Sequence, residues 1–196
     1  MKALVIVDMQ NDFLPDGNLP VPEGDTIIPL INELQKKYDL VVATQDWHPA
    51  NHQSFASQHE GKKAYDRIEL LGLEQTLWSD HCVQGTFGAE FSKELNQNLI
   101  EAIFRKGMES QIDSYSGFFD NGKLKSTGLA DYLRGKQVTE VDVCGLAADF
   151  CVYFTAKDAV EQGFKTRILE KATKPIFADN FEKIKRKFIK MGGEIA

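Results

Sequence analysis

Val138-Thr-Glu-Val-Asp-Val-Cys144, Gly145-Leu-Ala-Ala-Asp149-Phe-Cys151-Val152, a polar–apolar run to Gln162-Gly163, then Lys165-Thr-Arg-Ile-Leu169: this stretch decides the fold. Its first part is a short β-branched run, which reads as a strand. From Asp149 to Gln162, Val152, Ala156, Ala159 and Val160 share one helical face. Gly163 supplies the stop. Lys165–Leu169 then reads as a second strand. Strand, helix and strand in so short a span make a βαβ unit, whose two strands pair in parallel.

The same rhythm extends outward. Ala3–Val7 and Leu40–Ala43 are almost continuously apolar, and Ala102–Phe104 is a third short run. A helix is expected over residues 25–38, with Ile27, Ile28, Ile31 and Leu34 at helical spacing and Pro29 near its first turn. Another is expected over Phe177–Met191, carried by Phe181, Ile184, Phe188 and Met191. The prediction is an α/β protein, three layers α/β/α around a central, mostly parallel sheet. With 196 residues and roughly 150 per domain, residues 1–196 read as a single domain. One stretch breaks the pattern. Gln45–Gly88 has little periodicity, yet it holds all four histidines, His48, His52, His59 and His81. A long irregular segment of that composition points to function.

Composition removes several classes. Lys+Arg minus Asp+Glu is 23 − 29 = −6, which disfavours nucleic acid or an anionic membrane surface as partner. No apolar run reaches the roughly 18 residues of a membrane span, and the N-terminal run is too short for a secretory core. Cys82, Cys144 and Cys151 form no CxxC pair, so neither a disulfide framework nor a cysteine-rich zinc site is indicated. A reduced, cytoplasmic protein is expected.

Four groups carry chemistry. Asp46-Trp-His48, with His52 and His81 downstream, offers oxygen and nitrogen donors to a borderline divalent metal. The competing reading is a loop whose histidines bond backbone. Cys151 falls in the first turn of a helix at the carboxyl end of a parallel strand, where ligands bind in such sheets. The helix N-terminus there favours thiolate and offers N–H groups to an oxyanion. Alternatively, Cys151 is an inert core thiol. Asp8 closes the first strand and Lys106 the third, so both reach that same edge. Singly these could be a turn cap and an exposed lysine. Together, nucleophile, proton acceptor and cation are the set that cysteine acyl transfer needs.

These segments resemble the nicotinamidase family of the isochorismatase-like cysteine hydrolases, over nearly the whole chain. Ala3-Leu-Val-Ile-Val-Asp8-Met-Gln-Asn-Asp-Phe13 resembles its opening strand. Thr44-Gln-Asp46-Trp-His48-Pro-Ala-Asn-His52 resembles its metal loop, the most specific motif. Trp78-Ser-Asp-His81, Arg105-Lys106-Gly107, Asp113-Ser-Tyr115 and Gly145-Leu-Ala-Ala-Asp149-Phe-Cys151 resemble its other site segments. Ser79-Asp80 and Ala148-Asp149-Phe150 depart from residues common in the family, without removing a reacting group.

The resemblance implies the isochorismatase-like hydrolase fold and hydrolysis of nicotinamide, and also of pyrazinamide, with a role in NAD salvage. It assigns Cys151 as nucleophile, Asp8 as proton acceptor and Lys106 as the cation that keeps both charged. It implies an oxyanion hole from the N–H groups of Ala147 and Cys151, beside a cis peptide joining Leu146 and Ala147. Phe13, Trp78 and Tyr115 would wall the substrate ring. Asp46, His48 and His81 would bind one divalent ion, zinc first and manganese or iron as alternatives, with His52 a further candidate ligand. Relatives of this kind include homo-oligomers. The alternatives are another cysteine amidase of the superfamily or a non-catalytic metal- or ligand-binding member. Asp46, His48 and His81 argue against the first, and the presence of Asp8, Lys106 and Cys151 against the second.

Overall fold

The computed structural model describes residues 1–196. Its strands are β1 (Lys2–Val7), β2 (Leu40–Asp46), β3 (Arg67–Leu70), β4 (Leu73–Thr76), β5 (Ala102–Lys106), β6 (Glu140–Leu146), β7 (Lys165–Lys174) and β8 (Glu194–Ile195). Its α-helices are α1 (Ile28–Gln35), α2 (Leu129–Gly135), α3 (Tyr153–Glu161) and α4 (Ala178–Lys190). Six strands form the central sheet in the order β5-β2-β1-β6-β7-β8. Every neighbouring pair in it is parallel. The expected three-layer α/β/α architecture is therefore present.

Strand alternation builds two cores. Ala3, Val5 and Val7 face α2, α3 and α4 in one cluster, while Leu4 and Ile6 face α1 and the loops around Phe13 and Trp78 in the other. Both faces of β1 are sealed, so its apolar run has no alternation to show. Gly145 lies at φ +105, and a Cβ there would stand 2.1 Å from the Val7 carbonyl oxygen. Only glycine lets β6 pass so close to β1.

The structure also departs from expectation. β2 runs on beyond Ala43 through Thr44, Gln45 and Asp46, all buried; polar side chains that serve the site hid its end. The Gln45–Gly88 segment contains the antiparallel hairpin β3–β4. Its loop is Leu71-Gly72, both residues with positive φ. That is the type I′ pattern, but with leucine where asparagine or glycine would announce it. Helix α2 follows Gly128 and spans only seven residues, too short for periodicity to reveal. The helix expected from Asp149 opens with a wide π-type turn, Ala148–Val152, in which the Val152 N–H bonds the Ala147 carbonyl. No helix is long and apolar enough to cross a membrane.

Candidate active site

β1, β2, β5 and β6 all end on one edge of the sheet, and each delivers a site residue there. Asp8 follows β1 with φ +48. Asp46 and Lys106 end β2 and β5 directly opposite each other in register. Cys151 sits in the turn after β6. Residues almost a hundred and fifty positions apart thus converge because parallel strands present the same end to the same side.

Lys106 is the hub. Its Nζ lies 2.7 Å from Asp46 Oδ1, 2.9 Å from Asp8 Oδ2, 3.0 Å from the Ser114 carbonyl oxygen and 3.4 Å from Cys151 Sγ. Carboxylate oxygens of Asp8 and Asp46 and the Cys151 sulfur all lie within 4.8 Å of one another. Burial alone would strip the Lys106 proton, but Asp46 and Asp8 outweigh it and hold the group charged, well above the usual lysine range. Burial likewise raises Asp8, against Lys106. For Cys151, burial wins over Lys106 and pushes the thiol well above its ordinary value. The helix N-terminus, which favours thiolate, thus meets an opposing desolvation in the folded protein.

Beside this hub lies a donor cluster. Asp46 Oδ2 is 3.2 Å from His48 Nε2 and 3.5 Å from His81 Nε2. His48 Nδ1 donates to the Gly107 carbonyl and His81 Nδ1 to the Ser79 carbonyl, each at 2.8 Å. A carbonyl only accepts, so each Nδ1 carries a proton and each Nε2 is turned toward Asp46. His48 Nε2 has no hydrogen-bond partner although fully buried. Two imidazole Nε2 atoms and a carboxylate oxygen converging within 4.8 Å, with backbone carbonyls orienting the rings, are donors of the type that hold a divalent ion. The residues therefore fit a divalent ion. Gly107 is required here: at φ +66, a Cβ would stand 2.3 Å from His48 Cε1.

Long-range contacts bring His81 to His48. The His48 N–H bonds the Cys82 carbonyl, and the Gln84 N–H bonds the His48 carbonyl. Asp12 Oδ2 accepts the Cys82 N–H at 2.7 Å. His52 falls in a different grouping, with His48 and Asp113. Its Nδ1 accepts the Ser54 N–H at 3.2 Å. Burial and the neighbouring His48 push it down to about 4. Its Nε2, like that of His48, is buried without a hydrogen-bond partner.

A small, partly open cleft lies beside the hub. Phe13, Trp78 and Tyr115 line it, as do Ala147 and Cys151, with Asp46 and His81 at one end. The Leu146–Ala147 peptide is cis, as expected. Sequence reasoning missed Leu19, Phe150, Ile176 and Asp113 in the same lining. It also missed Gln75, which donates to Asp113 Oδ2 at 2.9 Å and to the Tyr115 hydroxyl at 3.1 Å. Gln10 was missed too. Its amide donates to the Asp46 carbonyl and accepts the Asp46 N–H, both at 2.8 Å. Nothing but the quoted motif around Asp113 gave a sequence signal for any of these.

A thiol, a carboxylate and an ammonium thus meet at the carboxyl edge of a parallel sheet, beside a set of metal-ligand types. The isochorismatase domain model matches residues 2–196, and the chain belongs to that family. Within it, the chain is 49% identical to the nicotinamidase of Escherichia coli strain K12 over 172 residues, covering 86% of this chain and 80% of that protein. The solved structure of an Acinetobacter baumanii nicotinamidase/pyrazinamidase superposes with a TM-score of 0.96 at 47% identity, covering 99% of this chain and 94% of that one. A Pyrococcus horikoshii pyrazinamidase solved with zinc gives 0.81 at 40% identity, covering 100% and 98%.

Proposed function

We propose that this chain is a nicotinamidase, an amidohydrolase that converts nicotinamide to nicotinate and ammonia, with pyrazinamide as a second substrate and a place in NAD salvage. The curated relatives and the solved structures support the activity. The observation that carries the chemistry is the approach of Lys106 Nζ to Asp8 Oδ2 at 2.9 Å and to Cys151 Sγ at 3.4 Å.

In this reading Asp8 takes the Cys151 proton as the sulfur attacks the amide carbon. Lys106 offsets the negative charge shared by the two groups. The N–H groups of Ala147 and Cys151 receive the developing oxyanion. Asp8 returns the proton to the departing nitrogen, which leaves as ammonia and a thioester on Cys151. A water then attacks the thioester with Asp8 accepting its proton, the C–S bond breaks to release nicotinate, and Asp8 returns the proton to the Cys151 sulfur. Phe13, Trp78 and Tyr115 hold the ring and exclude water. Asp46, His48 and His81 would hold one zinc ion, which when bound orients the ring nitrogen and draws electron density from the ring. Manganese and iron suit the same donors.

Residues 1–196 act as one isochorismatase-like hydrolase domain. Three free cysteines fit a reducing compartment, and we place the protein in the cytoplasm. By resemblance it also forms a homo-oligomer. The test is ammonia release from nicotinamide by the purified protein, before and after chelator treatment and again after zinc is restored. Cys151→Ala is expected to abolish turnover with an unchanged circular dichroism spectrum. Turnover by that variant, or none by the parent, would end the assignment.

A further inference from the structure

The two carboxylate oxygens of Asp8 are not equivalent. Oδ1 accepts a hydrogen bond from the Thr44 hydroxyl at 2.7 Å. Oδ2 makes no hydrogen bond and faces Lys106 as an ion-pair partner at 2.9 Å. Thr44 holds the backbone as well, since the Asp8 N–H reaches the Thr44 carbonyl at 3.3 Å. Both residues are fully buried.

The threonine itself is held. It stands on β2 in register with Val7 on one side and Phe104 on the other. Its methyl packs so tightly that a Cβ on Gly117 would come within 2.5 Å of Cγ2. A β-branched side chain has few χ1 options. With the methyl wedged against Gly117, the hydroxyl has Asp8 as its hydrogen-bond acceptor.

We propose that Thr44 is a positioning residue for the hydrolysis: its hydroxyl occupies Asp8 Oδ1 and so reserves Oδ2, the oxygen beside Lys106, as the one that accepts the Cys151 proton. A carboxylate held at one oxygen by Thr44 and at the other by Lys106 is fixed in one plane. Without the hydroxyl, that plane is free to turn about χ2, the oxygen beside Lys106 is no longer held toward the sulfur, and proton transfer is what suffers. Thr44 is not among the residues that line the cleft, so binding is expected to be unaffected. This rests on the reading of Asp8 as the base.

The experiment is steady-state ammonia release from nicotinamide by the metal-loaded protein. Thr44→Val keeps the shape and removes the donor. General base catalysis is worth about 10²–10⁴ in rate, and misorientation is expected to lose about 10–100-fold of it in kcat. KM should stay within about twofold. Thr44→Ser restores the hydroxyl and should recover most of the lost rate. A purely structural role would lower stability without splitting kcat from KM, and serine would not rescue it. Should Thr44→Val fail to fold, Thr44→Ala gives the same comparison against serine. Unchanged kcat in the folded, donor-free variant, or serine as slow as valine, overturns the proposal. Full activity in Asp8→Asn would instead overturn the base assignment, whatever Thr44 does.

Discussion

Lys106 and Asp8 meet as an ion pair 2.9 Å long, with both side chains withdrawn from solvent. Asp46 stands on the other side of the same ammonium at 2.7 Å. One buried cation therefore serves two buried carboxylates. The hub and the donor cluster are thus electrostatically one unit, joined through Asp46.

Removing the cation should be costly. Lys106→Met leaves two buried carboxylates without their shared cation, and breaking a buried pair typically costs about 3–5 kcal/mol. The urea midpoint should fall accordingly. Asp8→Asn combined with Lys106→Met should recover part of the loss, because one of the stranded charges is gone. If Lys106→Met unfolds at the parent midpoint, the ion pair does not stabilise the fold as argued.

The donor cluster predicts where metal is lost. His48→Ala or His81→Ala removes one Nε2 lone pair and should leave purified protein with far less than one metal per chain by elemental analysis. The fold should persist, since neither side chain is a large part of a core cluster. Stoichiometric metal in both variants would refute these ligands.

Gln10 should matter to the metal without touching it. Its amide pairs with both backbone groups of Asp46, as a neighbouring strand would. Loss of such supporting hydrogen bonds typically costs about 10–100-fold in metal affinity. Gln10→Leu should show this in a competition titration with a chromophoric chelator. Affinity equal to that of the parent would mean that Asp46 is held by other contacts.

Away from the site, Asp142 predicts a pH dependence. Burial works against its ionisation, but Arg167 at 2.6 and 2.8 Å, Tyr38 and Lys2 at 3.0 Å outweigh it and hold it below the ordinary carboxylate range. A lowered folded value means that its contribution is complete above the unfolded value of about 3.9 and fades as pH falls through the folded one. Asp142→Asn should therefore cost about 1–2 kcal/mol at pH 7, discounted because Arg167 and Lys2 are partly exposed. In acid below both values the two proteins should converge. A difference as large at low pH as at pH 7 would show that Asp142 acts through shape and not charge.

The apolar runs announced β1 and β6 because both faces of those strands are covered. The identity of Asp8, Asp46, His48, His81, Lys106 and Cys151 as candidates was equally open to reading, since strand ends and motif spacing mark them. Gln10, Thr44, Gln75 and Asp113 were not. Each is a polar residue of ordinary type whose partner lies 36 to 40 positions away, and nothing local distinguishes it from a surface residue.

Local chemistry, then, decided the alternation of strand and helix, the parallel sheet and which residue types stand at its carboxyl edge. Those follow from burial and from backbone preferences that act over a few residues. Only the folded chain decided which histidines share a carboxylate, that burial outweighs Lys106 at the Cys151 thiol, and which oxygen of Asp8 faces Lys106. Distances, desolvation and hydrogen-bond direction set those, and they exist only once distant segments are packed together.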